Sequence, residues 1–241
     1  MRWARRRRPW QWTVSIWSLH ERPIARAVER PITFPTYSLV NKCTHAGILE
    51  RLGLEYVDLL LVHWPGASKV PLASEQNAVL RKETWRVLED RLRRGQTRAI
   101  GVSNYQVSHL EELLSYCDFP PVCNQVECHP KYPQTALRRW CAEHNVAVVA
   151  YSSFGAGNLF NAPEVSQVAR EMACSPAQAL LKWGLQKGLC VLPKSVSPKR
   201  IREYDPRRLE RLVMTEAHEL LLDGLSSDGV TKYCWDSSNI L

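Results

Sequence analysis

A histidine directly after a short apolar run is the first feature of this sequence that could do chemistry. The run, VDLLLV from Val57 to Val62, has the length and composition of a strand buried on both faces of a sheet. His63 follows it at once, and Pro65 prevents the strand from continuing. Polar groups at the carboxyl ends of such strands are where α/β proteins bind ligands. The alternative interpretation of His63 is a core histidine bonded to a backbone carbonyl.

Four more short apolar segments predict strands, and polar side chains end or follow each of them. The predicted strands are 99–102, 122–126, 147–150 and 189–192. The polar residues at their ends are Ser103, Asn104, Gln125, Tyr151, Ser152, Lys194 and Ser195. The intervening segments predict helices, over 83–94, 107–117, 135–145 and 163–186 with a break near Ser175.

This alternation of strands and helices predicts a parallel sheet. In a β/α barrel the polar residues after the strands would converge on one face, at the carboxyl ends of the strands. An open doubly wound sheet is the alternative architecture. No G-x-G-x-x-G follows any of the strands, which argues against a Rossmann dinucleotide site.

Composition limits the class of protein. The 241 residues, 45% of them hydrophobic, suffice for one α/β domain, and no stretch approaches the roughly 18 apolar residues of a membrane span. The net charge is +8, but five arginines within the first eight residues supply most of it. We therefore predict neither a nucleic-acid-binding face nor a membrane partner. Weak binding of DNA by the arginine cluster is the remaining alternative.

The eight cysteines are scattered without a C-x-x-C pair, which favours reduced thiols in a cytoplasmic protein. Cys123, Cys128 and His129 match no standard zinc spacing, so no metal site is predicted. Residues 1–45 are predicted to be a poorly ordered segment, because Pro23, Pro31 and Pro35 interrupt any regular element. A targeting segment is the alternative for this region.

Five motifs in order give the chain a close resemblance to the aldo-keto reductases between residues 48 and 201. They are LERLGLEYVDLLLVHWPG, GQTRAIGVSN, VCNQVECHP, VVAYSSFG and LPKSVSPKRI. The resemblance implies a (β/α)8 TIM barrel that reduces aldehydes and ketones to alcohols by hydride transfer from NADPH. It also implies a small-molecule carbonyl substrate, NADP+ as the oxidised cofactor, and a monomer.

The resemblance also implies a role for each matching residue. His63 would be the catalytic histidine that orients the carbonyl, and Trp64 a wall of the substrate pocket. Tyr151 would stack on the nicotinamide, and Ser152 would help to hold the pyrophosphate. The nicotinamide carboxamide would be bound by Ser103, Asn104 and Gln125. The adenosine 2′-phosphate would be held by Lys194, Ser195, Ser197 and Arg200.

The residue types are compatible with the phosphate role that the resemblance implies, since two cations and two hydroxyls at a helix start suit a phosphate. Ser197, followed by proline, has the features of a helix N-cap. The alternative is a solvated Lys194 and Arg200 beside an ordinary cap.

The sequence departs from the family pattern at both ends. The family's Asp, Tyr and Lys, which supply the proton, precede the strand that ends at the histidine. Residues 1–45 contain one tyrosine, Tyr37, one lysine, Lys42, and no aspartate, and neither residue lies in a matching motif. We therefore predict a barrel incomplete at its N-terminal end. Its parts would be a divergent segment 1–45, a barrel portion 46–203 and a tail 204–241 with the substrate loop Lys232 to Asp236.

Two functions follow from these departures. The first is an NADPH-dependent carbonyl reductase. The second is a non-catalytic derivative that binds nucleotide or a protein partner. A further departure is Tyr204, which stands where the family has an asparagine that contacts adenine.

Overall fold

The computed structural model describes residues 31–34, 49 and 54–241, and within them the strands form one parallel sheet. The six strands lie side by side in sequence order, and each pairs in parallel with the next. They are β1 (Pro31–Phe34), β2 (Val57–Val62), β3 (Thr97–Ser103), β4 (Cys123–Glu127), β5 (Ala147–Tyr151) and β6 (Cys190–Val191). The predicted parallel sheet is therefore confirmed.

Helices connect the strands and continue after the last one. They are α1 (Gln76–Arg93), α2 (Val107–Leu114), α3 (Thr135–Glu143), α4 (Pro163–Glu171), α5 (Pro176–Gln186), α6 (Pro198–Glu203), α7 (Pro206–Arg211) and α8 (Glu216–Asp223). In the part of the chain that the structure describes, we find no helix with the length and apolar character of a membrane span.

The two faces of the sheet differ in what covers them. Leu60 and Val62 of β2 point into the large core, which also contains Leu88 of α1 and many other helix residues. Leu59 and Leu61 point the other way, into a smaller cluster whose described members are strand residues and their neighbours. Within the described residues, helices thus cover only one face, as in a β/α barrel and unlike a doubly wound sheet.

Two sequence-based predictions were wrong. Helix α1 begins at Gln76 rather than at residue 83, because its first turn contains polar Asn77, which is nevertheless buried. The prolines also do not exclude every regular element from residues 1–45. Pro31 begins β1, which pairs with β2, because proline is tolerated as the first residue of a strand. Residues 1–30 and 35–45 lie outside the described residues.

Candidate functional site

The carboxyl ends of four neighbouring strands bring the predicted polar residues to one edge of the sheet. His63 directly follows β2, and Ser103 ends β3 opposite Gln125 of β4 in the strand register. Tyr151 ends β5 and pairs with Glu127 in the same way. Parallel strands therefore place side chains that are up to 88 positions apart in sequence along one edge, which is the convergence predicted for a β/α fold.

Asn104 links three of these elements through its side-chain amide. Its Nδ2 donates to the His63 backbone oxygen at 2.9 Å and to Ser103 Oγ at 3.1 Å. Its Oδ1 accepts from the Tyr151 hydroxyl at 2.7 Å. Asn104 has a positive φ of 64°, a conformation that asparagine tolerates better than most residues. Both amide hydrogens of Asn104 are thus engaged, and its Oδ1 retains one lone pair.

Gln125 carries a buried hydrogen-bond donor without a partner. The residue is 8% exposed, and its Nε2 makes no hydrogen bond within the described structure. Its backbone oxygen is occupied, since it accepts from Ser103 Oγ at 2.7 Å and from the Asn104 N–H at 2.9 Å. Buried amides without a partner are rare and call for an explanation. A ligand with a carbonyl oxygen would satisfy this one.

His63 presents its imidazole at this edge. The side chain is exposed, yet enough protein surrounds it that desolvation lowers its pKa below the ordinary 6.5. The imidazole is therefore neutral at neutral pH and can donate one hydrogen bond. Trp64, which is partly buried, follows directly.

Five tyrosines in the described residues have pKa values shifted upward. Burial raises the pKa of Tyr151, whose hydroxyl also donates to Asn104. Burial likewise raises the pKa of Tyr105, Tyr116, Tyr132 and Tyr204. Each of these hydroxyls therefore holds its proton more firmly than a free tyrosine.

The residues predicted to hold the 2′-phosphate lie in the segment that follows β6 and, for Arg200, within α6. Lys194 and Arg200 are exposed, and Ser195 and Ser197 are partly buried. Ser197 is the N-cap of α6 with proline at the first helical position, as predicted, but its hydroxyl makes no capping bond. Its N–H instead donates to Ser195 Oγ at 3.1 Å. Both cations and the Ser197 hydroxyl are thus available to an anion.

Ser152 and Tyr204 each contact another part of the chain. Ser152 has a positive φ of 50°, and its Oγ lies 3.3 Å from the Cys234 sulfur, so its hydroxyl contacts the C-terminal loop. Tyr204 is 5% exposed and packs against Phe154, with 5.6 Å between the ring centroids. Tyr37 and Lys42 lie outside the described residues.

Sequence reasoning missed Glu127, whose side chain binds the C-terminal loop beside the site. Its fully buried carboxylate accepts from the backbone N–H of Tyr233 at 2.8 Å and of Cys234 at 3.0 Å. It also contacts His129 Nε2 at 3.1 Å, and the rings of His129 and Tyr233 lie 5.4 Å apart. A signal was present in the motif VCNQVECHP, because a charged residue in a buried strand needs a partner.

Comparison with known proteins decides the family. The model of the aldo/keto reductase family matches residues 42–204. The chain belongs to this family. The predicted fold class is confirmed, since the described strands and helices form a parallel α/β sheet and solved structures of the family share the fold. The family motifs identified by sequence all lie inside the matched region.

Relatives of this aldo/keto reductase family member include characterised and solved proteins. Glyoxal reductase of Bacillus subtilis is 43% identical over 155 residues, which are 64% of this chain and 52% of that protein. A solved aldo/keto reductase of Brucella melitensis has a TM-score of 0.71 at 30% identity and covers 81% of this chain and 72% of its own. The silkworm aldo-keto reductase AKR2E5 was solved with NADPH, with a TM-score of 0.71, 26% identity and coverage of 85% and 65%.

The match is unequal in length. The chain spans about half the length of the first curated relatives it matches, including the glyoxal reductase.

Proposed function

We propose that this protein binds NADPH at the carboxyl edge of its sheet and uses it to reduce a small aldehyde or ketone. The observation that supports this most is the unpartnered, buried Gln125 Nε2, which can donate a hydrogen bond to the oxygen of a carboxamide. The nearby hydroxyl of Ser103 and the free lone pair of Asn104 Oδ1 are further contacts of the right type for a carboxamide.

The rest of the cofactor would lie along the same edge. The Tyr151 ring would stack on the nicotinamide, and Ser152 would approach the pyrophosphate once its contact with Cys234 opens. The exposed charges of Lys194 and Arg200, with the hydroxyls of Ser195 and Ser197, would hold the 2′-phosphate. This donor set favours NADPH over NADH, which lacks that phosphate. The solved relative with bound NADPH is consistent with this choice.

His63 would orient the substrate. Its imidazole is neutral at neutral pH, because desolvation lowers its pKa, and so it can donate a hydrogen bond to the substrate carbonyl. Bound NADPH supplies the hydride, and Trp64 would form a wall of the pocket. The relative named for glyoxal reduction suggests small aldehydes as the first substrates to test.

A nucleotide-binding protein without turnover is the second candidate. An alkoxide formed by hydride transfer needs a proton, and the family takes it from a tyrosine with a lowered pKa. In the described residues, every tyrosine with a shifted pKa is shifted the opposite way. Cytoplasmic location and a monomeric state stay predictions for both candidates.

Turnover distinguishes the two candidates. We would follow NADPH oxidation by absorbance with glyoxal as substrate, comparing the wild-type chain, His63→Ala and His144→Ala. His144 is the matched control, because it is an exposed histidine at the end of α3. We expect measurable turnover that falls by a factor of about 10²–10³ in His63→Ala, as for loss of one hydrogen-bond donor to the reacting oxygen, and is unchanged in His144→Ala. NADPH binding without any turnover in the wild-type chain would reject the reductase in favour of the second candidate.

A further inference from the structure

Arg81 is a buried arginine that the sequence analysis did not single out. It lies on α1 and is 2% exposed. Its guanidinium donates from Nη1 to the Pro65 backbone oxygen at 3.2 Å and to the Leu241 backbone oxygen at 2.6 Å. Nη2 and Nε bind the Glu112 carboxylate of α2. A buried arginine is costly unless its charge and donors are satisfied in this way, so its contacts are specified by the structure.

Asn77 holds the same loop from one turn earlier on α1. It is fully buried, and its Oδ1 accepts from the Ala67 N–H at 3.0 Å. Its Nδ2 donates to the backbone oxygens of Pro71 at 2.9 Å and Leu72 at 3.1 Å. Because positions i and i+4 share a face of a helix, α1 presents Asn77 and Arg81 together to this loop. The loop that begins at His63 is thus held from one helix face.

The C-terminal residues close over the loop from the other side. The Leu241 N–H donates to the Leu72 oxygen at 3.1 Å, and the Ile240 side chain lies against Gly66, 3.2 Å from where a Cβ would be. His109 Nδ1 accepts from the Gln106 N–H, so Nε2 carries the hydrogen and donates to the Ile240 oxygen at 2.8 Å. Residues at least 131 positions apart in sequence therefore meet beside the His63 loop.

We propose that Arg81 is a positioning residue for His63 and acts through Pro65 and the C-terminal residues Ile240 and Leu241. The His63 side chain is exposed, so its backbone must fix where the imidazole points. Asn104 Nδ2 holds that backbone at the His63 oxygen, and Arg81 holds it two residues later at the Pro65 oxygen. The inference rests on the proposed reductase function for its catalytic consequence only.

The test measures the His63 imidazole itself. We would follow its NMR titration in the wild-type chain and in Arg81→Lys, which keeps the charge but loses the planar fork. A loosened loop admits water, so the His63 pKa should rise toward its ordinary 6.5. The dissociation constant for NADPH should stay within twofold, because Arg81's hydrogen-bond partners among the described residues do not include those proposed to bind the cofactor. The catalytic efficiency with glyoxal should fall by about 10- to 100-fold.

Two further variants separate positioning from general destabilisation. Ile240→Ala leaves the Arg81–Glu112 pair intact and should raise the His63 pKa as Arg81→Lys does. If Arg81→Lys does not fold, Ile240→Ala alone tests whether these contacts position His63. Lys187→Met removes a partly buried ion-pair partner at the C-cap of α5 and should lower stability without moving the pKa of His63.

The outcomes are distinct. An unchanged His63 pKa in the folded variants, or an equal rise in Lys187→Met, would overturn the proposal. A rise confined to Arg81→Lys and Ile240→Ala would support it even in a chain without turnover, in which case only the reductase function would be lost.

Discussion

Replacing Glu127 by glutamine should release the C-terminal loop at a cost that the geometry allows us to work out. The carboxylate serves three donors: Oε1 faces His129 Nε2 and the Tyr233 N–H, and Oε2 faces the Cys234 N–H. A glutamine side chain keeps the shape but replaces one oxygen by an NH2 group. In either orientation of the glutamine amide, its NH2 group faces at least one of these donors. At least one hydrogen bond to the wild-type carboxylate is therefore lost, at a site where the side chain is fully buried.

Hydrogen bonds to charged groups contribute about 1.5–3 kcal/mol each, so we expect Glu127→Gln to lower the free energy of unfolding by about 2–3 kcal/mol. For a chain of this length that corresponds to a fall in melting temperature of roughly 4–12 °C. Urea denaturation measures the free energy, and hydrogen exchange of the Tyr233 and Cys234 amides reports the local release. Asp228→Asn is the control, since Asp228 is exposed where it pairs with Lys131, and its replacement should leave stability nearly unchanged.

The pH dependence of this carboxylate has a defined sign. Burial alone would raise the pKa of Glu127, but the hydrogen bonds from His129 and from the two backbone N–H groups outweigh it and lower the pKa below its ordinary 4.5. The stability that Glu127 contributes is therefore complete above 4.5 and is lost as the pH falls through the lowered value. Equal stability of Glu127→Gln and wild type at pH 7, with unchanged amide exchange, would refute the reasoning.

Three other predictions concern the cofactor site and the core. Lys194→Ala should weaken NADPH binding about fivefold at low salt and leave NADH binding unchanged, because an exposed charge pair near 4 Å contributes about 1 kcal/mol. Lys199→Ala, in the first turn of α6, is the control in the same titration. Gly101→Ala should lower the urea midpoint, with a loss of about 1–3 kcal/mol, since its Cβ would lie 2.8 Å from the Cys123 oxygen. Burial alone would lower the pKa of Lys187, but its two carboxylate partners on α8 raise it above 10.5. Melting scans should therefore show that the contribution of Lys187 to stability is complete below pH 10.5 and is lost as the pH rises through its raised pKa. The Lys187→Met variant should not show that loss.

The order of the elements could be predicted from local sequence. Apolar runs that end in breakers gave β2 its bounds, and the Ser175–Pro176 step marked the break in the last long helical segment, where Ser175 accepts from the Gln178 N–H. Gly95 also marked the end of α1, and its positive φ of 68° is the conformation that glycine tolerates there. These signals act over a few residues, which is why a single sequence contains them.

The contacts that hold the C-terminal residues beside the site could not be predicted, because they join distant parts of the chain. Glu127 meets Tyr233 across 106 positions, and Arg81 meets Leu241 across 160. No periodicity or spacing encodes such a pairing. The start of α1 was missed for a related reason, since Asn77 is polar but is buried by bonds to the loop before it. The free amide of Gln125 likewise became visible only when its neighbours were in place.

The most direct test of the proposed cofactor site is an NADPH titration of the wild-type chain and Gln125→Leu, followed by quenching of the fluorescence of its nine tryptophans. We expect saturable binding by the wild type. We expect a dissociation constant about five- to tenfold higher in Gln125→Leu, because one hydrogen bond of about 1–1.4 kcal/mol is lost. A wild-type chain that unfolds cooperatively yet shows no saturable binding, or a Gln125→Leu variant that binds NADPH as tightly as the wild type, would contradict the account.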